Sequence, residues 1–63
     1  MDYLKFKSQD GNVFVSPMSS IAKIDISENG NYRAWFIKTA TETHGKRYAE
    51  IISDVPEGVR NLL

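Results

Sequence analysis

The stretch Ile21-Ala22-Lys23-Ile24-Asp25-Ile26-Ser27-Glu28-Asn29-Gly30-Asn31-Tyr32-Arg33-Ala34-Trp35-Phe36-Ile37-Lys38 decides the fold. Its first six residues alternate, Ala22, Ile24 and Ile26 on one face and Lys23 and Asp25 on the other, which is the period of a half-buried strand. Asn29-Gly30 then supplies a tight turn, because glycine accepts the positive φ that such a turn imposes. Tyr32 to Lys38 resumes the alternation as the most aromatic run in the chain, with Tyr32, Ala34 and Phe36 on one face and Arg33, Trp35 and Ile37 on the other. The whole stretch reads as a β-hairpin. Neither face of its second strand is wholly polar, so both call for cover.

Towards the N-terminus the same grammar recurs. Tyr3-Leu4-Lys5-Phe6-Lys7 puts Leu4 and Phe6 on one side and two lysines on the other, Asp10-Gly11 supplies a turn, and Val13-Phe14-Val15 returns. Ser16-Pro17 ends that strand, since proline fixes its own φ and lacks a ladder donor. Towards the C-terminus, Thr39 to Gly45 is polar and threonine-rich and reads as a longer turn, while Lys46 to Ile52 fits a strand or a short helix. Ser53-Asp54-Val55-Pro56-Glu57 carries a helix start, with Asp54 as N-cap and Glu57 as its capping-box partner. Val59, Leu62 and Leu63 would form the apolar stripe of a helix of about eight residues, too short to stand without the sheet. The expected architecture is one small domain over residues 1–63, α+β in class: an antiparallel four- to five-stranded β-meander with a short C-terminal helix.

Composition bounds the function. A chain of 63 residues hides only about 60% of its unfolded surface, so a monomer is marginal and pairing with a partner is expected. There is no cysteine and a single histidine, His44, which removes disulfides, thiol catalysis and clustered metal ligands of those types. Eight basic residues balance eight acidic ones, so no net charge draws the chain to nucleic acid or anionic lipid. No apolar run reaches the roughly 18 residues of a membrane span, and the first residues do not read as a secretory leader; a cytoplasmic location is expected.

The series Asp10-Gly11-Asn12-Val13-Phe14-Val15-Ser16-Pro17, Ile21, Ile24 and Gly45-Lys46-Arg47-Tyr48 resembles very small, mostly uncharacterised bacterial and phage-encoded proteins. It is also slightly similar to the small flagellar swarming-motility regulators. Those have Asn-Gly before the first turn and Asn-Pro after the second strand, where this chain has Asp-Gly and Ser-Pro. Their Thr-Pro-Asp-Thr turn is missing too, its place taken by Ser27 to Asn31. The resemblance implies a small strand-rich regulator of phage or mobile-element size, and it transfers no functional residue.

Catalysis finds little support. His44 lies in a polar stretch beside Gly45 and reads as an exposed turn residue, with no partner to orient it as a base. Ser16, Ser19 and Ser20 have no nucleophile elbow around them, and the four glycines are isolated rather than gathered into a phosphate loop. No enzyme activity and no cofactor are expected. The strongest signal is the second sheet face, Phe14, Arg33, Trp35, Ile37 and Arg47, exposed if the helix covers the opposite one. Aromatic rings with arginine are the enriched anchors of protein interfaces, either with a larger protein or between two copies in a homodimer. The alternative is single-stranded nucleic acid, its bases stacked on Trp35 and its phosphates held by Arg33, Lys38, Lys46 and Arg47. A bland reading stays open as well: Trp35 as core, the arginines as solvated surface. If Tyr32 to Lys38 is an edge strand, its uncharged centre is the site of pairing, while Lys5 and Lys7 guard another edge.

Overall fold

Both expected hairpins are present in a computed structural model, which describes residues 3–62. The first joins β1 (Tyr3–Lys7) to β2 (Val13–Pro17), and the second joins β3 (Ile21–Ile26) to β4 (Tyr32–Phe36). Their turns are two copies of one unit, Ser-x-Asp/Asn-Gly-Asn. In the first, the Ser8 N–H donates to the Asn12 carbonyl at 2.9 Å and the Gly11 N–H to the Ser8 carbonyl at 3.0 Å. The Ser27–Asn31 and Gly30–Ser27 bonds repeat this at 2.8 and 2.9 Å. The glycines take φ of 89° and 88°, so each loop is a type I turn closed by a left-handed glycine bulge. The middle side chain of each, Asp10 or Asn29, accepts from its serine hydroxyl and from the N–H two residues on.

After β4 come helix α1 (Lys38–His44), strand β5 (Tyr48–Ile51) and the single turn α2 (Glu57–Arg60). The sheet is antiparallel and five-stranded, in the order β2-β1-β5-β4-β3. The meander expectation is therefore corrected: β5 inserts between the hairpins, β1 and β4 are interior, and the edges are β2 and β3. Lys46 to Ile52 resolves as strand because Ala49 and Ile51 must face the core from the middle of the sheet. Each hairpin turn grips this inserted segment through its middle residue. Asp10 takes an ion pair from Lys46 at 2.6 Å, and the Asn29 amide donates to Glu50 at 3.0 Å.

Although β2 and β3 stand at opposite ends of the order, a 3-10 turn of only three residues, Met18–Ser20, connects them. A flat sheet of this width would separate them by about 19 Å, against the roughly 6–10 Å that three residues span. The sheet is consequently rolled. Phe14 on β2 and Phe36 on β4 meet inside it with centroids 5.9 Å apart, where a flat sheet would hold their strands about 14 Å apart. The corner is fastened by buried serines: Ser20 donates to the Pro17 carbonyl at 2.6 Å, which leaves Ser16 to donate to Ser20 at 2.8 Å. These hydroxyls tie the corner between β2 and β3.

The core is the inner face of the roll, built on Leu4, Phe6, Ile24, Ala34, Phe36 and Ile51. Simple alternation puts Ile21 and Ile24 on opposite faces, yet both are buried, because a bulge at Ala22 shifts the register between Ile21 and Lys23. Ala22 is thereby exposed, and Ile26, expected inside, is 50% exposed at the strand end. Thr39 to Gly45, expected as a turn, is mostly α1. Gly45 closes it in the left-handed conformation at φ 75°, and its N–H returns to the Thr41 carbonyl. Replacing Gly45 with alanine should lower stability by about 1 kcal/mol, read from the denaturation midpoint, since the added Cβ meets open space but the backbone conformation is penalised. The terminal helix is also shorter than expected. Pro56, not Asp54, is its N-cap, no side chain caps it, Val59 of the stripe is buried and Leu62 exposed, and Leu63 lies outside the described residues.

Candidate interaction surface

The outer face of the sheet centre is set by the cross-strand register. One rung runs Lys23, Trp35, Tyr48 across β3, β4 and β5, and the next runs Asp25, Arg33, Glu50, Lys7 across β3, β4, β5 and β1. The second rung alternates in sign over four strands, an arrangement in which every neighbour attracts. Arg33 closes on Asp25 in a bidentate fork, Nε to Oδ1 at 2.8 Å and Nη2 to Oδ2 at 2.7 Å. The Trp35 indole N–H donates to the same Oδ2 at 3.0 Å. Above the rings, the Arg33 guanidinium lies 5.3 Å from the Trp35 ring and 5.5 Å from that of Tyr48, and the Lys23 ammonium 5.1 Å from Trp35. Trp35 and Tyr48 touch at 4.7 Å.

These contacts set the charge states. The Arg33 fork, with the Trp35 donor behind it, outweighs desolvation and lowers the Asp25 carboxyl to about 2, while Asp25 raises Arg33 in turn. Glu50 is lowered by the Asn31 and Asn29 amides that donate to it. Beside this cluster a cleft of about 320 Å³ opens between Gln9 and Lys7 on one side and Arg33, Tyr48 and Glu28 on the other. What the arrangement offers is two half-buried rings, the indole N–H of Trp35 already satisfied by Asp25, framed by the Arg33–Asp25 pair.

Asp25 gives the arrangement a pH signature. A carboxyl depressed in the folded state adds stability that is present above its unfolded value of 3.8 and is lost as pH falls towards about 2. The stability difference between the wild-type chain and Asp25→Asn should therefore be present near pH 7 and shrink by about pH 3, as read from urea midpoints. A difference unchanged with pH would mean that the fork does not hold Asp25 ionised.

Of the residues expected on this face, only Arg33 and Trp35 are there. Phe14 points inward from β2, stacked on Phe6 at 5.5 Å. Ile37 is the N-cap of α1, beyond the end of β4. Arg47 is exposed ahead of β5, its carbonyl taking the Phe36 N–H at 2.9 Å. Lys38 starts α1, and Lys46 is committed to Asp10. The cations of the nucleic-acid reading are thus not gathered. Trp35 is not core, and Arg33 is not simply solvated. Tyr48, Asp25 and Lys23 complete the cluster; their outward parity was readable for Asp25 and Lys23, but Tyr48 becomes their neighbour only through the insertion of β5.

His44 is likewise not an exposed turn residue. Its ring wedges into the mouth of the roll, 4.9 Å from Phe14 and 4.6 Å from Phe36. Nδ1 accepts the Lys46 N–H at 3.1 Å, and Nε2 is buried with no partner among the described residues. Burial, and then the charge of Lys46, lower its pKa. Among the described residues no group of acidic or histidine side chains is placed to hold a metal ion, and no helix is long and apolar enough to cross a membrane. Comparison with family models, with curated proteins and with solved structures returns no match for this chain.

Proposed function

We propose that the chain is a small, non-catalytic binding module of the cytoplasm that docks on a protein partner through the outer sheet face around Trp35 and Tyr48. The carrying observation is the state of Trp35. Its ring stays half-buried on the outer face, left partly open by the described residues, yet its N–H is satisfied by Asp25. A partner that covers such a ring gains aromatic contact area without stranding a polar group, which is how tryptophan and tyrosine serve as interface anchors. The same ring would stack a base. Against that use stand the neutralisation of Arg33 by Asp25 and the dispersal of Lys38, Lys46 and Arg47.

Affinity capture with the wild-type chain and with Trp35→Glu, run in parallel, tests the proposal. A protein retained by the first and lost from the second, while circular dichroism shows the variant still folded, is the expected result. Capture that ignores Trp35 would remove this face from consideration. Titrating Trp35 fluorescence with single-stranded oligonucleotides should give no saturable quenching; quenching that weakens steeply as salt rises would transfer the face to nucleic acid.

A further inference from the structure

The rolled sheet is open between its two edges, and the edges are unlike. β3 carries the features that discourage strand addition, a bulge at Ala22 with Lys23 and Asp25 at its centre. β2 carries none of them across Val13-Phe14-Val15, and Val13 and Val15 are 55% and 58% exposed. The hairpin also fixes where the β2 backbone points. Ser8 and Asn12 close it with a hydrogen bond, so counting by twos makes Phe6–Phe14 and Leu4–Ser16 the bonded pairs and leaves Lys7–Val13 and Lys5–Val15 open towards each other. In agreement, the Lys5 carbonyl takes the Ile52 N–H at 2.9 Å on the far side of β1. Val13 and Val15 accordingly direct both N–H and C=O to the free edge, where no further strand of the chain lies among the described residues.

We propose that β2 pairs with β2 of a second copy of this chain, antiparallel about a two-fold axis at Phe14, joining two sheets into one. A two-fold interface requires a strand complementary to itself, and Val-Phe-Val reads the same in either direction. In this register Val13 stands opposite Val15 of the second copy and Val15 opposite Val13, so both valines of each chain exchange full pairs of backbone bonds. Pro17, which has no N–H to give, falls opposite Gly11 in the turn, outside the ladder. Centring the axis on Val15 instead would set Val13 against Pro17 and lose a donor on each side. Charge does not oppose the pairing: β2 is uncharged, the chain is neutral overall, and the two Lys5/Lys7 rows stand three strand spacings apart, about 14 Å, beyond the screening length of about 8 Å. On the outer face the four valines form one apolar strip flanked by lysine stems.

This pairing uses an edge that Trp35 does not touch, so it and the docking face stand or fall separately. Sedimentation equilibrium of the full chain should give about 14 kDa, twice the 7.2 kDa of one copy. Val13→Lys with Val15→Lys sets lysine against lysine across the axis and should raise the dissociation constant about tenfold or more, whereas Trp35→Glu should leave it unchanged. Should the double variant fail to fold, amide exchange of the wild-type chain decides the question: the Val13 and Val15 amides, unbonded in one copy, should slow as concentration rises. A single-copy mass up to about 1 mM, a dimer indifferent to the lysines, or valine amides that stay fast in the dimer would each overturn the proposal.

Discussion

Phe6→Ala should leave the chain without a cooperative unfolding transition at 25 °C. Phe6 is fully buried, stacks on Phe14 at 5.5 Å and meets Phe36 edge-on at 5.0 Å. Its backbone lies between Phe14 on β2 and Ile51 on β5, so its ring fills the volume where the first hairpin and the inserted strand meet. Truncating a buried phenylalanine costs about 3–5 kcal/mol, and the two lost ring pairs come on top of the area term. Domains of this length have a total stability of about 3–9 kcal/mol, so the loss takes most or all of it. Thermal denaturation followed by circular dichroism checks this. A sigmoidal transition within a few degrees of the wild-type midpoint would show that the core is not organised around Phe6. Leu62→Ala, at an exposed position away from both the core and the β2 edge, is the control and should move the midpoint little.

That core was largely readable from the chain, because period-two alternation places Leu4 and Phe6 together and Ala34 with Phe36 without reference to anything distant. The hairpins were readable for an equally local reason: Asp10-Gly11 and Asn29-Gly30 each fall between alternating runs. Strand order was not. Alternation says which side a residue faces and nothing about which strand lies beside it, so a meander and an insertion of β5 are indistinguishable along the chain. The Ala22 bulge escaped because a single extra residue leaves no mark beyond Ile21 and Ile24 sharing a face against parity. Helix α1 escaped for energetic reasons. Lys38-Thr39-Ala40-Thr41-Glu42-Thr43-His44 holds three β-branched threonines, has no capping side chain and buries none of its residues fully. It is held by the Gly45 turn and by the His44 ring, which are tertiary circumstances.

The surface cluster divides along the same line. Parity sets Lys23 and Asp25 outward and puts Arg33 and Trp35 together on the face opposite Ala34 and Phe36; the structure places all four on one outer face. Their meaning changed through contact: Asp25 takes both Arg33 and the indole N–H, so a feature that reads in sequence as free cation beside aromatic is a neutralised pair. Phe14 faces inward because the Ser8–Asn12 closure of the hairpin sets it directly opposite Phe6, on the same face, a register that alternation within Val13-Phe14-Val15 alone does not fix.

Acid should loosen this fold in two stages, the first belonging to His44. Because Nδ1 accepts the Lys46 N–H, the neutral ring carries its proton on Nε2, and a second proton would have to enter at Nδ1, where that N–H already points. Protonation would also place a charge between Phe14 and Phe36. Burial and the Lys46 charge therefore hold the folded-state pKa below the usual 6.5. The unfolded chain takes up this proton first, so the stability His44 contributes is complete above about 6.5 and declines as pH falls from there towards its folded value. Among the described residues Lys46 is the charged group whose field acts on the ring, and its partner Asp10, tied to it at 2.6 Å, is held well below the usual carboxylate range and stays ionised in this window. Carboxylates such as Asp25 enter only later, below about pH 5. Urea midpoints from about pH 7.5 to 5 should fall for the wild-type chain and stay level for His44→Gln, which fills similar space and does not titrate. Amide exchange should assign the loosening to α1, through the Thr41 and Gly45 amides that hold its turns. Parallel pH profiles for the two chains would show that the ring is accessible to protons in the folded state and does not latch the mouth of the roll.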